Sequence, residues 1–373
     1  MIEIADVFRR CAAEYLSAHG ASILPSHRRA VEDILDCRTA ALGGQVWRCD
    51  TCDTEMFSWH SCGNRSCPKC HTAQTREWLE HRQAEMLPVP YFHITVTVPA
   101  ELREVLRANQ RNGYGVLMQA SAAAITELAR DPRYVGGTVG VLAVLHTWTQ
   151  QLNFHPHVHC LVSGGGISND GSTWHPARRK FLLPIKALAK LVRGKFRTLL
   201  HRRCPDLGIP EAVWRTPWIL HVTAWGKGEQ AVLDYLARYV FRIALTNARI
   251  VELDDETVTI QYKQRKTGQA RTCRLSGDEF MRRFLQHVLP RGFHKVRYFG
   301  LWHPTHRHDA TRVRQMLLLQ ARPGTDPPLE PVVPPSEPGA EPILPIEPMI
   351  CPHCQQGRMI FIRRLTRQQP LGP

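Results

Sequence analysis

No stretch of this chain is apolar enough to cross a bilayer. The longest apolar run, VGVLAVL from Val139 to Leu145, has seven residues, against roughly 20 for a spanning helix. The opening MIEIADVFRRCAAEYL scatters charges through an amphipathic pattern, where a signal peptide would have an uninterrupted apolar stretch. The expectation is a cytoplasmic protein with no membrane partner. No internal repeat is visible, so the chain does not read as a repeat array. Acidic residues are scarce beside basic ones, 33 against 48, for a net charge of +15. That imbalance favours a polyanionic partner: DNA, RNA or an acidic surface. Disorder is excluded by a hydrophobic content of 43% over 373 residues, enough for a sizeable core and two or three domains.

Cysteine, by contrast, is abundant and clustered. Seven of the twelve lie between Cys11 and Cys70, and two more form CPHC at Cys351 and Cys354. In a cytosolic protein, C-x-x-C pairs read as metal sites rather than disulfides. CDTC (Cys49, Cys52) and CPKC (Cys67, Cys70) are knuckles separated by fourteen residues. Together they are expected to complete a structural Zn2+ site with four thiolates, closed to substrate. Cys37, His60, Cys62 and His71 are candidates for a second site. Arg48, Arg65, Lys69 and Arg76 nearby suit either phosphate contact or a solvated face. CPHC by itself supplies half a site and needs two outside ligands.

The texture of the chain divides it further. Residues 1–36 read as helices and 37–87 as the cysteine-rich zinc-binding domain, with a helix over REWLEHRQAEML. From 88 to 302 strands and helices mix. YFHITVTV, GTVGVLAVLHTW, HVHCLVSGGG, WILHVTAW, RIVELDDETVTIQYKQ and TCRLSG read as strands, with the glycines of SGGG marking a turn. GEQAVLDYLARYVFRIAL reads as one long helix and GDEFMRRFLQHVLP as another. The fold class is therefore α+β. Residues 303–321 extend it with a helix. Ten of the 27 prolines fall in 322–348, an extended linker, and 349–373 form a basic tail that includes CPHC.

Two constellations carry chemistry. In a strand, residues two apart share a face, so His157 and His159 form a cis pair for a divalent ion, with Val158 and Cys160 turned away. A hairpin would set His146 opposite them as a third nitrogen, leaving coordination open as catalysis requires. Gln150 or His155 could take that third place instead. HTWTQQLNFHPHVH contains no carboxylate, so a metallohydrolase with an acidic general base is disfavoured. In DYLARYVFR, Tyr235 and Tyr239 share one helical face; alone, such a pair reads as packing.

Taken with the basic charge, these residues resemble the HUH endonucleases, in which two histidines flank a hydrophobic residue, here Val158. More specifically, the chain resembles the IS91-type rolling-circle transposases of bacterial insertion sequences. The likeness runs through CRTAALGG, SCGNRSCPKC, YFHITVTVPAELR, HTWTQQLNFHPHVHCLVSGGG, YLARYVFRIALTNARI and FLQHVLPRGFHKVRYFGL. It implies a five-stranded antiparallel nuclease sheet flanked by helices, beside the N-terminal zinc-binding domain. His157 and His159 would be ligands for Mg2+ or Mn2+, with Tyr235 and Tyr239 as nucleophiles. Related relaxases take the third ligand from one strand earlier, which favours His146; others use Gln or Glu, which keeps Gln150.

The implied substrate is single-stranded DNA at the element ends and target DNA, handled at the bacterial nucleoid. Cleavage would pass through a 5′-phosphotyrosine. Arg242, with Lys263, Arg265 and Lys266 of KQRK, and Lys295 and Arg297 of RGFHKVRYFG, are the expected DNA contacts. These stretches mix cations with aromatics as single-strand grooves do. The alternatives are a plasmid replication initiator or relaxase of the same chemistry, and a non-catalytic zinc-ribbon DNA-binding protein.

Overall fold

The computed structural model describes residues 1–70, 87–240, 242–264, 267–320 and 349–367. His71, Arg76, most of the helix expected over REWLEHRQAEML, Arg265, Lys266 and the linker 322–348 lie outside the described residues. Elements are numbered along the chain.

The central sheet is antiparallel throughout. It runs in the order β11 (Val296–Gly300), β4 (Thr138–Trp148), β5 (Phe154–Ile167), β3 (Pro90–Thr97), β7 (Ile219–Lys227), with short β6 (Trp174–Pro176) paired to the end of β5. The expected five-stranded path is therefore present, with one added short strand.

Side-chain parity decides what each face does. On one face Val141, Ala143 and Leu145 of β4, Val158, Cys160 and Val162 of β5, and Phe92, Ile94 and Val96 of β3 are buried in one core. α3 (Arg103–Ala108), α4 (Gln110–Ala129) and α5 (Ile185–Arg203) contribute to that core. Leu142, Val144, Leu161 and Tyr91 point the other way. They pack with Tyr235, Leu236 and Val240 from α6 (Gly228–Tyr235) and the turn after it, and with Val313 of α8 (Arg307–Gln320). β-branched and apolar residues on both faces are what a central strand covered on both sides requires.

Two sequence expectations fail here. The glycines of SGGG do not end β5. A Cβ on Gly164 would meet the Pro90 carbonyl oxygen at 2.5 Å, one on Gly165 the Trp174 ring at 2.5 Å, and one on Gly166 the Gly137 carbonyl carbon at 2.6 Å. These glycines let neighbouring backbone and an indole lie against a continuing strand. The long helix is also shorter than expected. α6 ends at Tyr235, and Leu236–Val240 form a π-helical turn. Such turns add a residue to the helical repeat and swing side chains and carbonyls round the axis.

A second core joins the N-terminal helices to a segment later in the chain. α1 (Ile4–His19) and α2 (Pro25–Asp36) pack with the sheet β10 (Ala270–Ser276), β9 (Thr257–Lys263), β8 (Ile250–Leu253) and with α7 (Gly277–Leu285). The rings of Phe8 and Phe284 meet edge to face at 5.2 Å. Ser276 caps α7 by accepting from the Glu279 amide at 3.2 Å. Residues 250–285, assigned by composition to the 88–302 domain, thus share the core of the N-terminal helices. In the third sheet β1 (Gly44–Cys49) lies between β2 (Glu55–Trp59) and β12 (Met359–Leu365). Part of the expected basic tail, Met359–Leu365, is therefore a strand.

Candidate active site and cysteine centres

The histidine strand forms on the face that carries Tyr235. β4 and β5 pair with His146 directly opposite His157, and β5 pairs with β3 so that His159 lies opposite Thr95. Ligand-capable atoms of His146, His157 and His159 all lie within 4.8 Å of one another. Among the described residues, no carboxylate joins the group.

Each ring is held through a second nitrogen. His157 Nδ1 donates to the His155 carbonyl at 2.6 Å, which makes Nε2 its ligating atom. His146 Nε2 donates to the Tyr239 carbonyl at 2.7 Å, which leaves Nδ1. His159 Nδ1 lies 2.9 Å from His93 Nε2, with Thr95 Oγ1 3.2 Å from the latter. Fixing one nitrogen to orient the other is how proteins prepare imidazoles for metals.

Burial holds the His146 and His159 rings well below the usual histidine range, reinforced by the neighbouring imidazoles and by Arg242. The charged form is penalised, so both rings are neutral at pH 7, the state a metal needs.

The two tyrosines are not equivalent. The Tyr239 ring lies 4.2 Å from His159 and 4.7 Å from His93, centroid to centroid. Tyr235 sits behind it, 4.9 Å ring to ring, and is 0% exposed. Burial raises its hydroxyl well above the ordinary phenol range, with the neighbouring Cys160 and Tyr239 adding to the shift. Trp225 packs against both tyrosines and donates to the Ala231 carbonyl at 2.8 Å. Trp148 stacks on His146 at 4.5 Å.

Among the candidates for DNA contact, Arg242 and Lys295 bear electrostatically on His146, and Lys295 Nζ donates to the Arg242 carbonyl at 3.2 Å. Burial, with Arg65 nearby, lowers the Lys295 ammonium to about 8. Arg297 lies on the opposite face of the sheet. It pairs with Ala143, lies over the Phe293 ring at 5.0 Å and approaches Gly115 of α4. Lys263 is exposed on β9, away from the histidines in the register. Gln150 is not at the histidine cluster; its Oε1 accepts from the Lys263 amide at 2.8 Å. Arg65 is spent on structure, donating to the carbonyls of Leu289, Pro290 and Phe293. His93 was not singled out from sequence. Its signal was strand parity, since Tyr91, His93 and Thr95 share the histidine face.

The cysteines regroup. Cys49 and Cys52 do not join Cys67 and Cys70. Cys67 and Cys70 cluster with Cys37 and Cys62, with Sγ pairs at 3.4, 3.5 and 3.6 Å. Cys49 and Cys52 meet Cys351 and Cys354, with pairs at 3.7 and 3.8 Å. A tetrahedral zinc with Zn–S near 2.3 Å sets its sulfurs about 3.8 Å apart, so both quartets fit the ion. His60 stands outside both quartets, and its Nδ1 lies 3.3 Å from the Leu42 carbonyl. α2 and the loop after β2 impose this grouping, since they bring Cys37 and Cys62 against the second knuckle while β12 brings CPHC to the first.

Comparison with known proteins agrees with this architecture. A family described as "Transposase zinc-binding domain" matches residues 7–98, and one described as "Putative transposase" matches residues 140–310. A protein of Sinorhizobium fredii (strain NBRC 101917 / NGR234), "Putative transposase y4qJ", is 36% identical over 389 aligned positions, covering 96% of this chain and 94% of its own. The "Transposase for insertion sequence element IS801" of Pseudomonas savastanoi pv. phaseolicola is 25% identical, covering 90% of this chain and 83% of its own. No solved structure matches. No helix among the described residues is long and apolar enough to cross a membrane. The cysteine quartets and the matched zinc-binding domain support structural zinc. A sheet with a histidine triad on its tyrosine face, a cysteine-rich module ahead of it and relatives matched along nearly their whole length lead to one conclusion: this chain belongs to the IS91-type transposases.

Proposed function

We propose that the protein nicks and rejoins single-stranded DNA at insertion-sequence ends, in the rolling-circle manner, through a 5′-phosphotyrosine formed first on Tyr239. The observation that carries this reading is the Tyr239 ring lying 4.2 Å from His159 on the face shared by His146 and His157. An insertion-sequence transposase among the relatives supports element ends as the substrate.

His146, His157 and His159 are the proposed ligands, and Gln150 is set aside because its side chain is engaged elsewhere. A divalent ion bound there, Mg2+ or Mn2+, supplies Lewis-acid polarisation of the scissile phosphate. Three imidazoles suit Mn2+ better than Mg2+.

The chain's own groups do the rest. Arg242 and Lys295 supply positive charge beside the triad, which draws a phosphate and favours a phenolate over a phenol. Tyr239 Oη forms a bond to phosphorus as the P–O3′ bond breaks. The phenolic proton goes to solvent and the 3′-oxygen leaves as a hydroxyl. The new ester keeps the phosphodiester's energy, so a 3′-OH rejoins the strand by the reverse attack without ATP. Tyr235 becomes a second nucleophile only if the π-helical turn rearranges to uncover it. Trp148 and Trp225 offer aromatic surface, and Lys263, Arg265 and Lys266 offer charge, along which a single strand stacks and binds.

The test mixes the protein, Mn2+ and single-stranded element ends and looks for an SDS-resistant adduct on the 5′ end. Tyr239→Phe is expected to abolish it and Tyr235→Phe to leave the first adduct intact. His157→Ala is expected to cut cleavage at least about 100-fold while DNA binding persists. An undiminished adduct in the doubly substituted Tyr235→Phe, Tyr239→Phe protein rejects the assignment. Binding without any adduct would favour the zinc-ribbon binder, and cleavage at a plasmid origin instead of element ends would favour an initiator or relaxase.

A further inference from the structure

The quartet Cys49, Cys52, Cys351 and Cys354 lies only half within a matched family range, since Cys351 and Cys354 fall outside both 7–98 and 140–310. We infer that it is a second structural zinc site, a ribbon assembled from two half-sites at opposite ends of the chain, with CPHC as its closing half.

The two knuckles are built alike. In the first, the Asp53 amide donates to the Cys49 carbonyl at 3.2 Å; in the second, the Gln355 amide donates to the Cys351 carbonyl at 2.9 Å. In both, the residue after the second cysteine takes a left-handed backbone, φ 56° at Asp53 and 57° at Gln355. Neither residue is glycine, so each pays a small conformational cost that a free loop would avoid and a metal knuckle demands. Backbone amides point at the sulfurs: Thr51 N–H at Cys49 Sγ, 3.4 Å, and Gly357 N–H at Cys354 Sγ, 3.3 Å. Amides aimed at sulfur stabilise thiolate over thiol.

The halves also lock onto each other. The Asp50 carboxylate accepts from the Arg358 amide at 2.8 Å, and the Asp50 amide donates to the Arg358 carbonyl at 3.1 Å. A Cβ on Gly357 would strike Cys49 Sγ, so the second knuckle closes on the first only with glycine there. β12 then runs antiparallel along β1, from Cys49 opposite Met359 to Gly44 opposite Leu365. Four thiols in a half-buried pocket with Trp47, Met56 and Met359 around them make a small core. A core of that size is too small to hold two segments 305 positions apart in the chain by apolar contact alone. A zinc ion supplies the missing cohesion.

The test is zinc content per full-length chain, measured by elemental mass spectrometry, and it does not depend on DNA cleavage. Two zinc ions per chain are expected, and one would overturn the proposal. Cys351→Ser with Cys354→Ser is expected to lose one, and Cys62→Ser with Cys67→Ser the other. Both zincs retained in the tail variant would equally overturn it. As a guard against misfolding, Cys354→His keeps a zinc donor and is expected to retain two ions where Cys354→Ala retains one. Equal content in those two variants argues against a metal at the tail.

Discussion

Each imidazole of the triad is aimed by a bond to something else, and the same device recurs one layer out at His287. Its Nδ1 lies 3.1 Å from Thr147 Oγ1 and its Nε2 donates to the Leu152 carbonyl at 3.0 Å. Burial lowers its pKa from 6.5 to about 4. A histidine kept neutral by the fold contributes stability that is complete above pH 6.5. That stability drains away as the pH falls toward 4, because the unfolded chain takes up the proton and the folded one does not. At pH 5 the loss from this one group is about 2 kcal/mol relative to pH 7.5. His287→Gln, which keeps a donor in the same place, is expected to lose less stability on acidification by about that amount. Denaturant unfolding at the two pH values measures it, and an unchanged difference would show that His287 protonates freely in the folded state.

At the scale of elements, glycine has opposite meanings in β5 and α5. Gly166 faces the Gly137 backbone, which has nowhere to retreat, since β4 and β5 are paired there through Val139 and Gly166. Gly166→Ala is expected to destabilise the fold by about 2 kcal/mol or more. Gly194 lies inside α5, where an added Cβ meets nothing within 4 Å. Gly194→Ala is expected to stabilise by up to about 1 kcal/mol, from helix propensity alone. Thermal melts of the pair separate the two roles; equal shifts would mean the crowding at β5 relaxes at no cost. The π-helical turn after α6 is the other element with consequences. It joins the tyrosine segment to the triad through the Tyr239 carbonyl and His146, so a rearrangement that exposes Tyr235 must first break that bond.

At the scale of the whole molecule, the net charge of +15 suits a polyanionic partner. Arg242 and Lys295 stand beside the histidines, while Arg297 lies across the sheet. If a bound single strand neutralises roughly 6 phosphates, log K against log salt should fall with a slope of about −4. Fluorescence anisotropy with labelled single strands across a salt series reads the slope directly, and a flat line would remove electrostatics from the account. Arg242→Ala is expected to flatten that slope by nearly one phosphate's worth, and Arg297→Ala to leave it unchanged.

Local periodicity was enough for much of this protein. Alternation along HPHVHCLV put His157 and His159 on one side and Val158 and Cys160 on the other, because strand parity is a property of the backbone alone. The apolar GTVGVLAVL announced a central strand for the same reason. C-x-x-C spacing announced thiolate pairs, since two sulfurs three residues apart already have the bite of a metal. What short-range rules leave open is which distant pieces meet. Three C-x-x-C half-sites, two single cysteines and several spare histidines admit many zinc pairings, and only the packing of α2 and β12 joins Cys37 and Cys62 to one knuckle and Cys351 and Cys354 to the other. Gln150 stayed an alternative to the favoured His146 along the chain until the β4–β5 register brought His146 opposite His157 and a loop contact carried Gln150 to Lys263. Tyr235 and Tyr239 look identical on a helical wheel; a π-helical turn and the depth of the core make one a neighbour of His159 and bury the other. Backbone geometry repeats and so can be read locally, whereas contacts between remote segments depend on three-dimensional distance, which no spacing in the chain encodes.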